Sequence, residues 1–208
     1  MSQNNWDVRY LQLAAHIATW SKDPKKKVGA VLVRDNRIIS TGYNGLPERV
    51  GDTFERLSRK ATKLSMVVHA EENALLSAGE RARGATLYVH GLPVCARCAS
   101  SIIQARVLRV VAEMPICESL TSAAMEKALS QAPEHTNWNA LGELAMKMFH
   151  ESNVSFVGME LHQEQRKFTS AIKSHIRRSG VERRRNPPKE RIKTPSRKTV
   201  DRNGAYFG

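Results

Sequence analysis

The sequence predicts an α/β fold, a three-layer α-β-α sandwich around a five-stranded mixed sheet with its last two strands parallel. Three features predict it. Short runs rich in Val, Ile and Leu alternate with stretches of helical periodicity, the pattern of a sheet flanked by helices. The first two apolar runs are separated only by Arg34-Asp35-Asn36, a hairpin connection that makes them antiparallel. Helical patterns around Ser122–Leu129 and Asn139–Phe149 separate the last two, enough chain for a parallel crossover.

The elements follow in order. Asp7 to Trp20 reads as an amphipathic helix with Leu11, Ala14, Ala15 and Ala18 toward a core. Val28–Val33 and Arg37–Ser40 are the hairpin strands. His69 to about Ser77 reads as a helix that Gly79 stops, with Ala70, Ala74 and Leu75 at helical spacing. Ala85–His90 is the third strand, and the loop Gly91–Val94 leads into a helix from Cys95 through Gln104. Val107–Ala112 and Val154–Gly158 are the fourth and fifth strands. Ile102, Ile103, Val107, Leu108, Val110 and Val111 are expected in the core.

On that frame lie His69-Ala70-Glu71 and Cys95-Ala96-Arg97-Cys98. Alone, a His-x-Glu is common in helices, and a Cys-x-x-Cys is as often a redox dithiol or half of a structural zinc site. Together they offer one imidazole, two thiolates and a carboxylate that a metal does not need. Three such ligands with an open fourth position describe a catalytic Zn2+ site, because a structural site uses four protein ligands. Both ligand sets are expected at helix N-termini, where the helix dipole and free amides favour thiolate over thiol. The order of the two motifs resembles the signature of zinc nucleobase deaminases, in which the non-ligand glutamate moves protons. His69, Cys95 and Cys98 are therefore the expected metal ligands and Glu71 the expected catalytic acid–base.

Composition bounds the rest. The chain of 208 residues is 41% hydrophobic, enough for one ordinary core and an appendage. No apolar run has the length of a membrane span, and the polar start Met1-Ser-Gln-Asn-Asn5 does not read as a signal peptide. Two of three cysteines are assigned to metal, Cys117 reads as a buried free thiol, and a reducing, cytoplasmic location is expected. Charge marks a boundary. Residues 163–208 hold fourteen Lys or Arg against four Asp or Glu, a net +10 of the chain's +13. Residues 1–162 are thus expected to form the zinc-dependent domain and 163–208 a basic tail. The tail reads as helical at first, through Phe168, Ile172 and Ile176, and disordered beyond Gly180. Its charge suits polyanion or nucleic-acid contact, and equally a solvated extension.

Further segments carry a resemblance. Ser21-Lys-Asp-Pro24 leading into Lys27-Val-Gly-Ala30, Ser40-Thr-Gly-Tyr-Asn-Gly-Leu-Pro47, Val68-His-Ala-Glu-Glu-Asn-Ala74 and Ala85-Thr-Leu-Tyr-Val89 all contribute to it. Residues from about Trp6 to Leu161 resemble the deoxycytidylate (dCMP) deaminase family of the cytidine-deaminase superfamily. Val94 departs from the family's usual proline before the first cysteine, and the basic tail has no counterpart in the family pattern.

The resemblance implies a cytidine-deaminase-like fold, Zn2+ as cofactor, and hydrolysis of dCMP to dUMP and ammonia in pyrimidine deoxynucleotide metabolism. It implies a small nucleotide substrate and a homo-oligomer, hexamer or dimer; members of the family are often regulated by dCTP and dTTP, but no segment of this sequence maps to such a site. At the substrate it implies Asn44 on the sugar, and the backbone beside Ala70 is suited to the edge of the base. Asn44 is equally a turn residue in Tyr-Asn-Gly. In the run Lys25-Lys26-Lys27, Lys27 is the candidate for the 5′-phosphate, although such runs are more often solvated surface. Two other readings stay open. One is a deaminase acting on tRNA or another polynucleotide, and the other a zinc-containing module that binds nucleic acid. The intact Glu71 argues against the second, and Ser21–Pro24 with Tyr43–Pro47 favours the free nucleotide over the first.

Overall fold

A computed structural model describes residues 3–113 and 137–159, all within one compact unit, Met1–Lys173. The expectations for Cys117, for the helix around Ser122–Leu129, for the basic tail and for the boundary at 162/163 fall outside the described residues.

Helix α1 (Gln3–Ala18) precedes the hairpin of β1 (Gly29–Arg34) and β2 (Arg37–Tyr43). Two short helices follow, α2 (Phe54–Ser58) and α3 (Lys60–Met66), then α4 (Ala70–Ala78), β3 (Thr86–His90), α5 (Ala96–Gln104) and β4 (Arg109–Glu113). Helix α6 (Trp138–Glu151) and β5 (Ser155–Met159) complete the described part. The five strands form one sheet in the order β2-β1-β3-β4-β5, with β1 antiparallel to both neighbours. Strands β4 and β5 are parallel, as expected, and β3 is parallel to β4 as well, because α5 carries the chain back along the sheet.

The hairpin turn is tighter than the sequence reading. Arg34 and Arg37 pair, so Asp35 and Asn36 alone make the turn, with φ of 52° and 58°. Two positive φ angles give a type I′ turn, whose twist matches the strands.

Strand alternation separates two cores. On one face Ala30, Leu32, Leu87, Val89, Val110 and Ala112 pack under α4, α5 and α6, with Ile102 and Phe149 fully buried. On the other face Val31, Val33, Tyr88 and Val111 meet Tyr10, Leu11, Ala14 and Ile17 of α1. Burying a side chain such as Leu87 contributes about 1.5–3 kcal/mol, and truncating it to alanine costs about 2–5 kcal/mol. Asp7 adds a polar tie between α1 and the sheet. Its carboxylate accepts from both Arg109 nitrogens at 2.8 and 2.7 Å and from the Tyr88 hydroxyl at 2.8 Å. Burial and this acceptor push the Tyr88 phenol above its ordinary value.

Two glycines let helices lie directly on strands. A Cβ on Gly29 would stand 2.0 Å from the Ala14 carbonyl oxygen of α1, and one on Gly42 would stand 2.2 Å from the Ala70 carbonyl oxygen of α4. Any larger residue at 42 would displace the start of α4, which carries His69 and Glu71.

One core assignment is corrected. Leu108 is 62% exposed although its backbone joins the sheet, donating to Ala85 and accepting from Ser155 at 3.0 Å each. It precedes β4, so it shares in the ladder while its side chain stays in solvent. Helices α2 and α3, five and seven residues long, went unrecognised because each is too short to display a periodic apolar face.

Candidate metal centre and active-site cavity

His69 stands at the N-cap of α4 and Cys95 at the N-cap of α5, both in extended conformation with ψ of 158° and 162°. A bridge between Gly45 and Val68, with N–O distances of 3.1 and 2.9 Å, fixes the chain just before His69. The two helix starts converge. His69 Nδ1 lies 3.2 Å from Cys98 Sγ and 3.5 Å from Cys95 Sγ, and all three donor atoms lie within 4.8 Å of one another. A tetrahedral zinc with ordinary bond lengths separates nitrogen and sulfur ligands by about 3.5 Å, so the donor triangle fits that ion. Both cysteines are buried, and the Cys98 amide faces Cys95 Sγ at 3.5 Å.

The local electrostatics suit a cation. Hydrogen bonds from Cys98 and His69 pull the Cys95 thiol down to about 4, against burial. Cys98 donates to it and is itself raised. Burial lowers His69, but Cys95 and Glu71 outweigh it and raise the imidazole. Glu71, in the first turn of α4, is only 3% exposed, and burial pushes its carboxyl up to about 7. A carboxyl poised there can both accept and donate a proton near neutral pH.

His69 and Glu71 open onto a cavity of about 230 Å3. His69, Ala70 and Glu71 form one wall with Leu92, Pro93 and Trp138. The Trp138 ring lies 6.0 Å from the His69 ring, tilted by 48°. The loop before β1 and the pair α2–α3 form another wall, with Asp23, Lys25, Lys26, Lys60 and Lys63. Asp23 organises that wall. One oxygen accepts from the amides of Lys25 and Lys26 at 2.8 and 3.0 Å, and the other lies 2.7 Å from Lys63 Nζ. Burial pushes the Asp23 carboxyl up, but Lys63 and the two amides outweigh it and hold the group below its ordinary value.

The cavity thus brings together Ala70, Glu71, His69 and Asn44 of the residues singled out in the sequence, with Cys95 and Cys98 beside His69. Asn44 is largely spent on the fold. Its Oδ1 accepts from the Val28 amide at 2.8 Å and its Nδ2 donates to the Lys26 carbonyl at 2.9 Å, leaving one N–H of the amide for a ligand. Lys27 is not brought to the cavity. Its amino group bonds the Ser21 carbonyl, while Lys25 and Lys26 line the wall in its place. The turn around Asp23 decides this, because it folds the 25 and 26 amides inward before the chain enters β1. Trp138, Lys60 and Lys63 carried no motif in the sequence, and Asp23 stood out only as part of the family-like segment Ser21–Pro24. Val94 is buried in the core, so the cavity wall at that loop is made by Leu92 and Pro93.

The sequence profile of the cytidine and deoxycytidylate deaminase zinc-binding region matches residues 4–114. The chain belongs to this family. A deoxycytidylate deaminase of a Mycobacterium phage is 39% identical over 124 residues, which cover 53% of this chain and 96% of that protein. An "uncharacterized deaminase in luxG 3'region" of Aliivibrio fischeri is 40% identical over 107 residues, 51% of this chain and 71% of the relative. The match to the Saccharomyces cerevisiae deoxycytidylate deaminase, 37% identical, spans 51% of this chain but only 37% of that protein's length. Among solved structures, the dCMP deaminase of cyanophage S-TIM5 shares the fold with a TM-score of 0.53 at 20% identity, covering 76% of this chain and 100% of that one. That phage protein has also been solved in complex with dCMP and dUMP. The family region is a zinc-binding one, and among the described residues the donor cluster inside it that can take the ion is His69, Cys95 and Cys98. Helix α6, which supplies Trp138, lies beyond the matched residues.

Proposed function

We propose that the chain is a zinc-dependent hydrolase that converts dCMP to dUMP and ammonia. The observation that carries this reading is the composition of one cavity: His69 of the metal donor triangle and the buried Glu71 carboxyl on one side, and lysines on another. The first wall suits hydrolytic deamination of a base. The second suits a phosphate, which a free nucleoside lacks. The phage and yeast relatives named deoxycytidylate deaminase support the same substrate.

His69, Cys95 and Cys98 would hold zinc, which would supply the Lewis acidity that brings the pKa of a bound water near neutral. The chain's own residues do the rest. Glu71 takes a proton from the attacking water and delivers it to N3 of the cytosine, making C4 electrophilic. The water oxygen bonds to C4. Glu71 then carries the remaining hydroxyl proton to the exocyclic amino group, the C4–N bond breaks, and ammonia leaves. N3 keeps its proton, so the product is uracil. Trp138 and Leu92 exclude solvent from the base, the free N–H of Asn44 reaches the sugar, and Lys25, Lys26 and Lys60 attract the phosphate. No helix among the described residues is long and apolar enough to cross a membrane.

The test is a substrate panel of dCMP, cytidine, dCTP and tRNA at equal concentration. Release of ammonia and dUMP, with kcat/KM for dCMP well above that for cytidine, is the expected outcome. Conversion of adenosine to inosine in a tRNA stem-loop, with dCMP ignored, would overturn it.

A further inference from the structure

Glu71 and Glu72 are neighbours on α4 with different surroundings. Glu71 is buried at the cavity, whereas Glu72 turns toward α5. Its Oε2 accepts from the His69 backbone amide at 3.1 Å and from Arg97 Nη2, also at 3.1 Å. Arg97 lies between Cys95 and Cys98. One carboxylate oxygen therefore joins the amide of the histidine donor to the side chain that separates the two cysteine donors.

We propose that Glu72 and Arg97 form a brace that holds the two donor segments at the spacing zinc requires, acting as positioning residues for the metal. The inference rests on the reading that His69, Cys95 and Cys98 bind zinc. The donors come from the starts of two helices, α4 and α5, with a turn, strand β3 and a loop between them. Their mutual distance must be fixed by contacts between helix starts. The hydrophobic floor beneath them sets the approach of α4 and α5, but apolar packing is not directional. The Glu72 bridge is directional, and it acts on the backbone of one donor and on the residue between the other two. It also gives the Glu72 charge a partner, so that this carboxylate does not compete as an uncompensated anion beside Glu71 and the thiolates.

The exposures separate this role from plain stabilisation. The Arg97 side chain is 57% exposed and that of Glu72 20%. Such an ion pair contributes little to global stability and is screened by salt. Its loss should therefore appear in metal affinity while the unfolding of the metal-free protein stays unchanged.

The experiment measures zinc affinity of the full chain by competition with a chromophoric chelator at low and high salt, beside thermal unfolding of the metal-free form. Glu72→Ala removes both contacts and should weaken zinc about tenfold, the low end for outer partners of a metal ligand. Glu72→Gln keeps an acceptor for the His69 amide but loses the ion pair, so it should match Arg97→Ala at about threefold, the scale of an exposed pair. The double variant Glu72→Gln/Arg97→Ala should be no weaker than either single, Arg97→Lys should recover most of the affinity, and high salt should erase the Arg97→Ala effect. Zinc binding by Arg97→Ala equal to the parent at low salt, or additive losses in the double variant, would overturn the brace alone. A parent protein that binds no zinc would overturn the site reading itself.

Discussion

The two walls of the cavity are built by different means. The metal wall is compact in sequence: His69, Ala70 and Glu71 are consecutive, and Cys95 and Cys98 open the next α-helix, after the single strand β3. The lysine wall is assembled from the loop at 23–26 and the short helices α2 and α3, and it is held by one buried pair, Asp23 with Lys63. The difference follows from the demands of the two ligands. Zinc requires donors within tenths of an ångström, which rigid helix starts on a packed sheet can supply. A phosphate is large, charged and bound at longer range, so flexible lysines from several segments can share it. On the proposed function, chemistry is therefore concentrated on the rigid wall, and substrate choice on the wall that can vary.

The largest effect that separates the walls is loss of metal. Cys95→Ala or Cys98→Ala should abolish both zinc binding and deamination, with metal analysis and ammonia release as the paired measurements. Full zinc occupancy in both variants would remove the donor assignment. Next comes the proton shuttle. Glu71→Gln should keep zinc and fold while turnover falls by about 10²–10⁴-fold, the usual worth of a positioned acid–base. Near-normal turnover would mean that another group moves the protons.

The lysine wall should answer differently. Lys25→Ala combined with Lys60→Ala should lower kcat/KM for dCMP about tenfold, through KM, because each lysine offers the phosphate a partly screened charge. The cytidine rate should not change, since a nucleoside has no phosphate. A parallel fall with cytidine would show that these residues shape the cavity as a whole.

The same contrast governs what the sequence made legible. Helices α1, α4, α5 and α6 and all five strands were readable, because each is long enough to display its period or carries a cap or stop such as Gly79. The donor triangle was readable because soft ligands at fixed spacing are rare. The lysine wall was not. Nothing local distinguishes Lys25 and Lys26 from Lys27 in a run of three; it is the folded chain, with the amides of 25 and 26 turned onto Asp23, that leaves Lys25 and Lys26 lining the cavity. Lys63 reads as a surface lysine until α3 brings it to Asp23, 40 residues away in the chain. Trp138 reaches His69 only through the crossover that places α6 beside α5. Leu108 misled for the opposite reason, because an apolar residue beside a strand reads as core whether or not a helix covers it.

The smallest expected effect concerns the pair that holds the lysine wall. Asp23→Asn keeps an oxygen for the amides of Lys25 and Lys26 but removes the charge facing Lys63. Breaking a fully buried ion pair costs several kcal/mol, but Lys63 lines the cavity and can turn its amino group to solvent there. The loss in stability should therefore be about 1 kcal/mol at neutral pH. The sign of its pH dependence follows from the lowered Asp23 carboxyl. A carboxyl whose folded value lies below its unfolded one stabilises the protein above the unfolded value, and that contribution is lost as pH falls through the folded one. The parent should thus exceed Asp23→Asn in urea unfolding at pH 7 and pH 5, and the two should converge as pH drops below about 4. With Lys63 released toward the cavity, KM for dCMP should hold steady or fall in the variant while cytidine turnover is unaffected. An unchanged stability gap at pH 3 would mean that the carboxylate of Asp23 contributes nothing through its charge. A sharp rise in the KM of dCMP would mean that Asp23 serves by keeping Lys25 and Lys26 in place, and that the wall is organised by its turn rather than by its ion pair.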